Sequence, residues 1–472
     1  MTPTISFLGG AGTVTGSKYL LEIEPHRMLL DCGLFQGLKE LRLRNWQEPP
    51  YDPRRLDAVI LSHAHLDHCG YLPVLVRHGF CGQIFCTAAT EELVRLVLLD
   101  SAHIQEEDAE AANRGGYSTH RPALPLYTVE EAQRTFRYLT TRPYGQWFPV
   151  VPELIRAQFH RAGHILGSAI VDVQVGMHQP VTMVFSGDLG RWNQPILRDP
   201  EPVSTPADVL LLESTYGDRL HAGDPGNELA RRIQEAVARG GVIIVPSFAI
   251  GRTQQLIWWL HQLEQQGRIP TLPVFLDSPM AIRAGEIYIR HHEEHDAAMR
   301  QLLDQTHALT SHRLQVVSSP QESQTLQRIT TPCMILAASG MATGGRVLDH
   351  LATRLPDQRS TVLLVGFQAA GTRGRLLQEG ATSVRIHGEQ VPVCAAIRTV
   401  DGFSAHADRE DILRWLAGFA APPKATYLVH GEVPQAESLA VVIRERLHWD
   451  VRVARDGERV ECGGSIIRPS CS

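Results

Sequence analysis

Short apolar runs separated by turn residues open the chain. TISFLGG, KYLLEIE and HRMLLDCG alternate in the manner of hairpin-linked strands. LDAVILSHAH reads as a buried strand running into a loop, and HCGYLPVLVRHG as a short helix that stops at Gly79. From about 90 to 145 the pattern turns helical and charged, as in EELVRLVLLDSAHIQEEDAEAANRGG, before strands return at AIVDVQV, PVTMVFSGD and ADVLLLEST. Near residue 218 the rhythm changes. GGVIIVPSF precedes helical GRTQQLIWWLHQLEQQG, PVFLDS precedes PMAIRAGEIYIRHHEE, CMILAASG precedes GGRVLDHLATRL, and TVLLVGF precedes GRLLQEG. Apolar strands each followed by a helix predict βαβ units and a mostly parallel sheet. Beyond about 397 come FSAHADREDILRWLAGF, ATYLVHG and a further helix and strand. The fold class is α/β.

The length, 472 residues, suggests two or three domains. A formal net charge of −6 without a long basic run means that a polyanion would have to be met by local patches; net charge by itself does not favour nucleic acid. Eight cysteines (Cys32, Cys69, Cys81, Cys86, Cys333, Cys394, Cys462 and Cys471) are scattered without a Cys-x-x-Cys pair, and read as reduced thiols. The start, MTPTISFLGG, lacks the basic and apolar regions of a signal peptide, and no apolar run is long enough to span a bilayer. The expectation is a cytoplasmic protein with no membrane partner.

The stretch LSHAHLDHCG concentrates imidazoles and a carboxylate: His63, His65, Asp67 and His68. In an extended segment His63 and His65 face the same way and can grip one ion. Asp67 and His68 can then face a second as the chain turns into a helix, where Asp67 is also a candidate N-cap. Imidazole plus carboxylate suits zinc first, with manganese or iron as alternatives, and a catalytic site leaves positions open for water. HHEEH at 291–295 fits a metalloprotease pattern. It lacks a third ligand and reads as a solvated helix face. His-x-His-x-Asp-His resembles the metal motif of the metallo-β-lactamase superfamily, and LLDCG matches that superfamily's first acidic motif at Asp31. The resemblance implies an αββα sandwich with a dinuclear site at one edge. It also implies His164 in RAGHILGSAI and Asp188 in VFSGDLGR as further ligands, Asp188 bridging the ions. His160 reads as structural.

The loops after the second-half strands, PSFAIGR, DSPMA, SGMATGGR and GFQAAGTRGR, place Gly, Ser and Arg at helix starts, where anions bind. Ser247, Arg252, Ser339, Arg346, Arg373 and Arg375 are therefore candidate phosphate contacts. LLLESTYGD, FSAHAD and YLVHGE look like motifs A, B and C of the β-CASP nucleases, carried by Glu213, His406 and His430, and SFAIGRTQ, DSPMA and SGMATGGR look like that family's inserted domain. The resemblance implies a metallo-β-lactamase domain over 1–217, a parallel-sheet β-CASP cap over 218–397, and a return segment over 398–472, with RNA in the cleft between them.

Carried over, one zinc takes His63, His65, His164 and Asp188, and the other Asp67, His68, Asp188 and His430. Manganese is the alternative metal. Asp31 would hydrogen-bond a ligand histidine. Asp67 would act in catalysis beside Glu213 and His406, which together would protonate the leaving oxygen. His430 favours RNA over DNA. The function implied is zinc-dependent hydrolysis of RNA phosphodiester bonds through a metal-bridging hydroxide. The other readings are a small-molecule hydrolase, such as a thioesterase, and a non-catalytic RNA-binding scaffold. Endonuclease and 5′-exonuclease action are not separated, and the oligomeric state stays open, a homodimer among the options.

Overall fold

The computed structural model describes residues 2–116, 120–176, 179–221, 223–305 and 314–462; Cys471 lies outside them. The opening alternation folds as three antiparallel strands, β1 (Thr4–Phe7), β2 (Tyr19–Ile23) and β3 (His26–Leu30). The apolar run before the histidine cluster is β4 (Ala58–Ile60), parallel to β3, and β5 (Gln83–Cys86) and β6 (Leu139–Thr141) continue the sheet. The stretch expected to be helical to about 145 holds the helices Ala88–Gly115 and Val129–Thr135, but β6 interrupts it. Its three residues sit half-exposed at a sheet edge, too short a run to show alternation.

A second sheet follows: β7 (Phe148–Val151), β8 (Ile155–Arg161), β9 (Ala169–Val175), β10 (Val181–Phe185) and β11 (Val209–Glu213). After it the predicted parallel strands appear as β12 (Ile243–Pro246), β13 (Val274–Asp277), β14 (Leu314–Val316), β15 (Met334–Ala337) and β16 (Thr361–Val365). The hairpin β17 (Ser383–Ile386) and β18 (Glu389–Pro392) stands apart, and β19 (Ala396–Val400) rejoins the parallel sheet. Its order is β14-β13-β15-β12-β16-β19, every pairing parallel. The chain then returns: β20 (Ala425–Val429) pairs with β11, β21 (Val451–Val453) extends that sheet, and β22 (Arg459–Glu461) pairs with β1.

Two seven-stranded sheets result, β22-β1-β2-β3-β4-β5-β6 and β21-β20-β11-β10-β9-β8-β7. Their inner faces share one core, in which Phe7, Tyr19, Met28 and Phe85 meet Phe159, Val171, Phe185 and Tyr427. Each such buried side chain contributes roughly 1.5–3 kcal/mol. Helices Arg409–Leu416 and Val433–Leu447 close the outer face of the second sheet through Trp415, Leu416, Leu439 and Ile443. The helices flanking the first sheet share a core with those of the parallel sheet.

The segment 291–295 is not a solvated helix face. Helix Pro279–Arg290 ends before it, a 3-10 turn takes His292–Glu294, and His295 is fully buried. The segment works as a strap. Glu294 Oε2 accepts from Arg161 Nε at 3.2 Å, the Arg198 amide donates to the Glu294 carbonyl at 3.1 Å, and the Asp296 amide to the Ile196 carbonyl at 3.0 Å. His291 bonds Glu92 at 2.9 Å. No helix among the described residues is long and apolar enough to cross a membrane.

Candidate metal centre

β4 delivers Ser62 and His63 to one edge of the sandwich, and the short helix Leu66–Cys69 follows with His65 as its N-cap. Asp67 thus sits in the first turn and is not the cap that the sequence allowed. This helix packs backbone to backbone against the loop after β3 and the turn that leads into β2. The amides of Ser17, Cys32 and Leu34 donate to the carbonyls of Asp67, His68 and Leu66 at 2.9, 2.7 and 2.8 Å. Gly33 permits the approach, since a Cβ there would lie 1.6 Å from the Asp67 carbonyl oxygen. His164 follows β8, Asp188 follows β10, Glu213 ends β11 and His430 follows β20. Parallel pairing of Glu213 with Val429 makes Glu213 and His430 leave the sheet at the same edge.

The donors that these loops supply form two groups, His63, His65, His164 and Asp188, and Asp67, His68 and His430, each with its ligand atoms within 4.8 Å of one another. Asp188 lies between them. Its Oδ2 is 3.5 Å from the Nε2 atoms of both His63 and His164, and its Oδ1 is 3.3 Å from His68 Nε2 and 3.2 Å from His430 Nδ1. Yet Oδ1, fully buried, makes no hydrogen bond. Ring nitrogens turned toward one another around a buried carboxylate oxygen that has no hydrogen bond fit the shared occupancy of cations, and imidazoles with carboxylates are a donor set for zinc.

Hydrogen bonds behind the donors aim them. Asp31, at φ 58°, accepts from the Ser62 amide at 2.7 Å and binds His68 Nδ1 at 2.6 Å, turning His68 Nε2 toward Asp188. The Ser62 hydroxyl, between Asp31 and His63 Nδ1 at 2.8 and 3.0 Å, and Thr215, 3.1 Å from His430 Nδ1, complete this layer. Neither was singled out from the sequence: a Ser before a histidine motif or a Thr after an acidic one carries no periodic or spacing signal. Burial lowers the pKa of His63, His164 and His65, the last to about 3, which keeps their lone pairs available. Burial also opposes charge on His68, but Asp188, Asp31 and Asp67 prevail and push it up to about 10.

Glu213, fully buried, faces His406 Nδ1 with both oxygens, at 3.2 and 3.3 Å. Burial disfavours charge on either partner, yet their mutual attraction wins: His406 is raised and Glu213 lowered from ordinary values. His406 also stands 3.8 Å from Asp188 and groups with Asp188 and His430 as a possible ligand set. His160, which reads as structural, bonds Asp172 at 3.1 Å.

The centre lies in a cleft of about 2390 Å³ lined both by loops of the sandwich and by loops at the carboxyl ends of the parallel strands. Arg252, Ser339, Arg346 and Arg373 line it; Ser247 and Arg375 do not. Ser247 is buried against Thr253 at 3.0 Å, and Arg375 pairs with Glu379 at 2.5 Å. Ser339 accepts from the Thr343 amide at 2.9 Å. Arg346 is held by Asp277 at 2.7 Å and by the Ser318 carbonyl at 3.0 Å, and Arg373 by the carbonyls of Arg385 and Ala342, both at 2.6 Å. The Arg252 guanidinium meets only a neutral side-chain oxygen, Gln255 Oε1, at 3.3 Å.

The fold is that of the metallo-β-lactamase superfamily, whose model matches residues 11–229. A Beta-Casp domain matches 253–377, and a Zn-dependent metallo-hydrolase RNA specificity domain matches 390–454. Ribonuclease TTHA0252 of Thermus thermophilus is 36% identical over 96% of this chain and 98% of its own length. Transcription termination factor FttA of Methanocaldococcus jannaschii is 32% identical over 93% of this chain and 68% of its own. A crystal structure of a protein of unknown function from Enterococcus faecalis shares the fold, with a TM-score of 0.51 at 14% identity over 98% of this chain and all of that one. The chain belongs to the β-CASP family of the metallo-β-lactamase superfamily.

Proposed function

We propose that the chain is a zinc-dependent ribonuclease that hydrolyses RNA phosphodiester bonds. The observation that carries this reading is the convergence of seven metal donors and the Glu213–His406 pair at the foot of one cleft; the relatives' names and the RNA specificity domain support the substrate class. His63, His65, His164 and Asp188 would hold one zinc, and Asp67, His68, Asp188 and His430 the other, with manganese as the alternative. Metal bound there supplies an acidified water as nucleophile and neutralises charge developing at phosphorus.

The chain's own residues do the rest. Asp31 fixes the tautomer of His68 and holds its ring toward the donors. Asp67, lowered in pKa because the charge of His68 outweighs the cost of its burial, stays ionised beside the reacting group. Glu213 binds Nδ1 of His406 and keeps the imidazolium charged, leaving Nε2 to protonate the departing oxygen. The same Glu213 bond favours general acid over ligand for His406, because it engages the ring nitrogen nearest Asp188. We place the domain divisions near 217 and, since β19 pairs within the parallel sheet, just after Val400. The seven cysteines among the described residues are free, which supports a reducing, cytoplasmic setting.

The deciding experiment offers the metal-replete protein RNA carrying 5′-hydroxyl, monophosphate or triphosphate ends, and a thioester in parallel, with zinc counted by elemental analysis. RNA cleavage with about two zinc ions per chain is expected. Thioester turnover without RNA cleavage would replace the reading with a small-molecule hydrolase, and trace metal with RNA binding alone would leave a scaffold.

A further inference from the structure

One cation in the cleft is not used by the metal centre. Arg252, the first residue of helix Arg252–Gln265, lines the cleft and is 8% exposed. Its Nε has no hydrogen-bond partner, and Nη1 donates to a neutral oxygen, Gln255 Oε1, at 3.3 Å. Its charged or ionisable neighbours are Tyr216 and a second guanidinium, Arg191. Burial pushes its pKa down only to about 10, so the charge persists at neutral pH. A buried guanidinium without a carboxylate is costly, and a bound anion removes that cost. The arginines at 346, 373 and 375 are held by protein oxygens and have no such need.

The position of Arg252 says which part of a substrate it meets. Its Nη2 lies against Gly366, 3.3 Å from where a Cβ would stand. The next residue, Phe367, lines the cleft half-buried and sets its ring edge-on to Tyr216 at 6.0 Å. Tyr216 in turn stacks on His406 at 6.2 Å and 25°. His406 and Phe367 thus line one wall of the cleft, packed on either side of the buried Tyr216 ring, with the guanidinium beside them. If His406 protonates the departing oxygen, the departing strand runs along this wall.

We propose that Arg252 and Phe367 form the subsite for the nucleotide on the leaving-group side of the scissile bond. Arg252 binds the next backbone phosphate through its free N–H groups, and Phe367 stacks on the base. The inference rests on the ribonuclease reading and adds to it a location for the departing strand.

The test uses zinc-loaded full-length protein and RNA oligonucleotides with one mapped cleavage site. Each carries either one uncharged methylphosphonate linkage or one abasic position, walked along the strand. With wild type, the uncharged linkage next to the scissile one on the leaving side should raise KM roughly tenfold and change kcat less than about threefold. Arg252→Gln should show that raised KM on unmodified RNA and become indifferent to this linkage, while keeping the wild-type response at every other. Phe367→Leu should likewise become indifferent to the abasic position there. Arg252→Lys, which keeps the charge if Gln perturbs the helix start, should retain the response. The subsite is overturned if Arg252→Gln still loses the same factor at that linkage, or if wild type cleaves RNA without regard to any leaving-side modification. A zinc-loaded wild type that cleaves no RNA would instead sink the ribonuclease reading, and the subsite with it.

Discussion

His406 and His68 are both imidazoles held by carboxylates, yet their partners fit them for different work. His406 meets only Glu213 at hydrogen-bond distance through Nδ1, the pairing of a proton donor. RNA expels a poor alkoxide, so His406→Ala should slow its hydrolysis by about 10²–10⁴-fold with zinc retained. Bis(p-nitrophenyl) phosphate expels a phenolate that needs little protonation and should keep far more of its rate. Equal losses on both substrates at unchanged zinc content would falsify the general-acid role. His68, pushed up to about 10 by Asp188, Asp31 and Asp67 against the cost of its burial, carries a proton that a metal must displace. Zinc uptake by metal-free protein near pH 7 should therefore release a proton, and affinity should rise with pH toward 10 and fall as pH falls. Calorimetry in buffers of different ionisation enthalpy reads that proton; a buffer-independent heat would contradict the assignment.

At the scale of elements, the site depends on two backbones that touch. The loop after β3 and the helix Leu66–Cys69 approach so closely at Gly33 that a methyl group has no room. Gly33→Ala should push away the turn that carries Asp67 and His68, costing more than about 3 kcal/mol. If the fold survives, zinc should drop from two to one per chain, because the displaced turn carries two donors of one group, Asp67 and His68, whereas in the other group His63 sits nearer the end of β4 and His164 and Asp188 come from the loops after β8 and β10. Two retained zinc ions would show that the turn can yield. This contact explains part of what the sequence could and could not show. His63, His65, Asp67 and His68 were legible because one loop holds them, and the alternation of β1–β3 and the strand–helix rhythm after 218 were legible because apolar period reports burial. The edge strand β6, the layer formed by Ser62 and Thr215, and the burial of His295 were not. Each depends on what arrives from another part of the chain. The arginines show the same limit. Four looked alike at helix starts, and only packing separates Arg252 from Arg346, Arg373 and Arg375, whose N–H groups are held by the protein.

Across the whole molecule, the strap at 291–296 ties the parallel-sheet part to the sandwich through the half-buried Arg161–Glu294 pair, at 3.2 Å. Arg161→Met should leave Glu294 without its cation and cost on the order of 1–3 kcal/mol. It should weaken long-RNA binding more than hydrolysis of a small ester; denaturant titration and paired KM values measure both effects, and parallel changes in the two substrates would deny the strap any part in holding the cleft. The centre itself is assembled from distant stretches, with Asp188 and His430 separated by 242 positions. At a translation rate of about 5–20 residues per second, roughly 12–50 s pass between the emergence of one and the other. Throughout that interval the nascent chain holds His63, His65, His164 and Asp188 but neither His430 nor, until near its end, His406. Until His430 emerges, no nascent chain can complete the second group of donors.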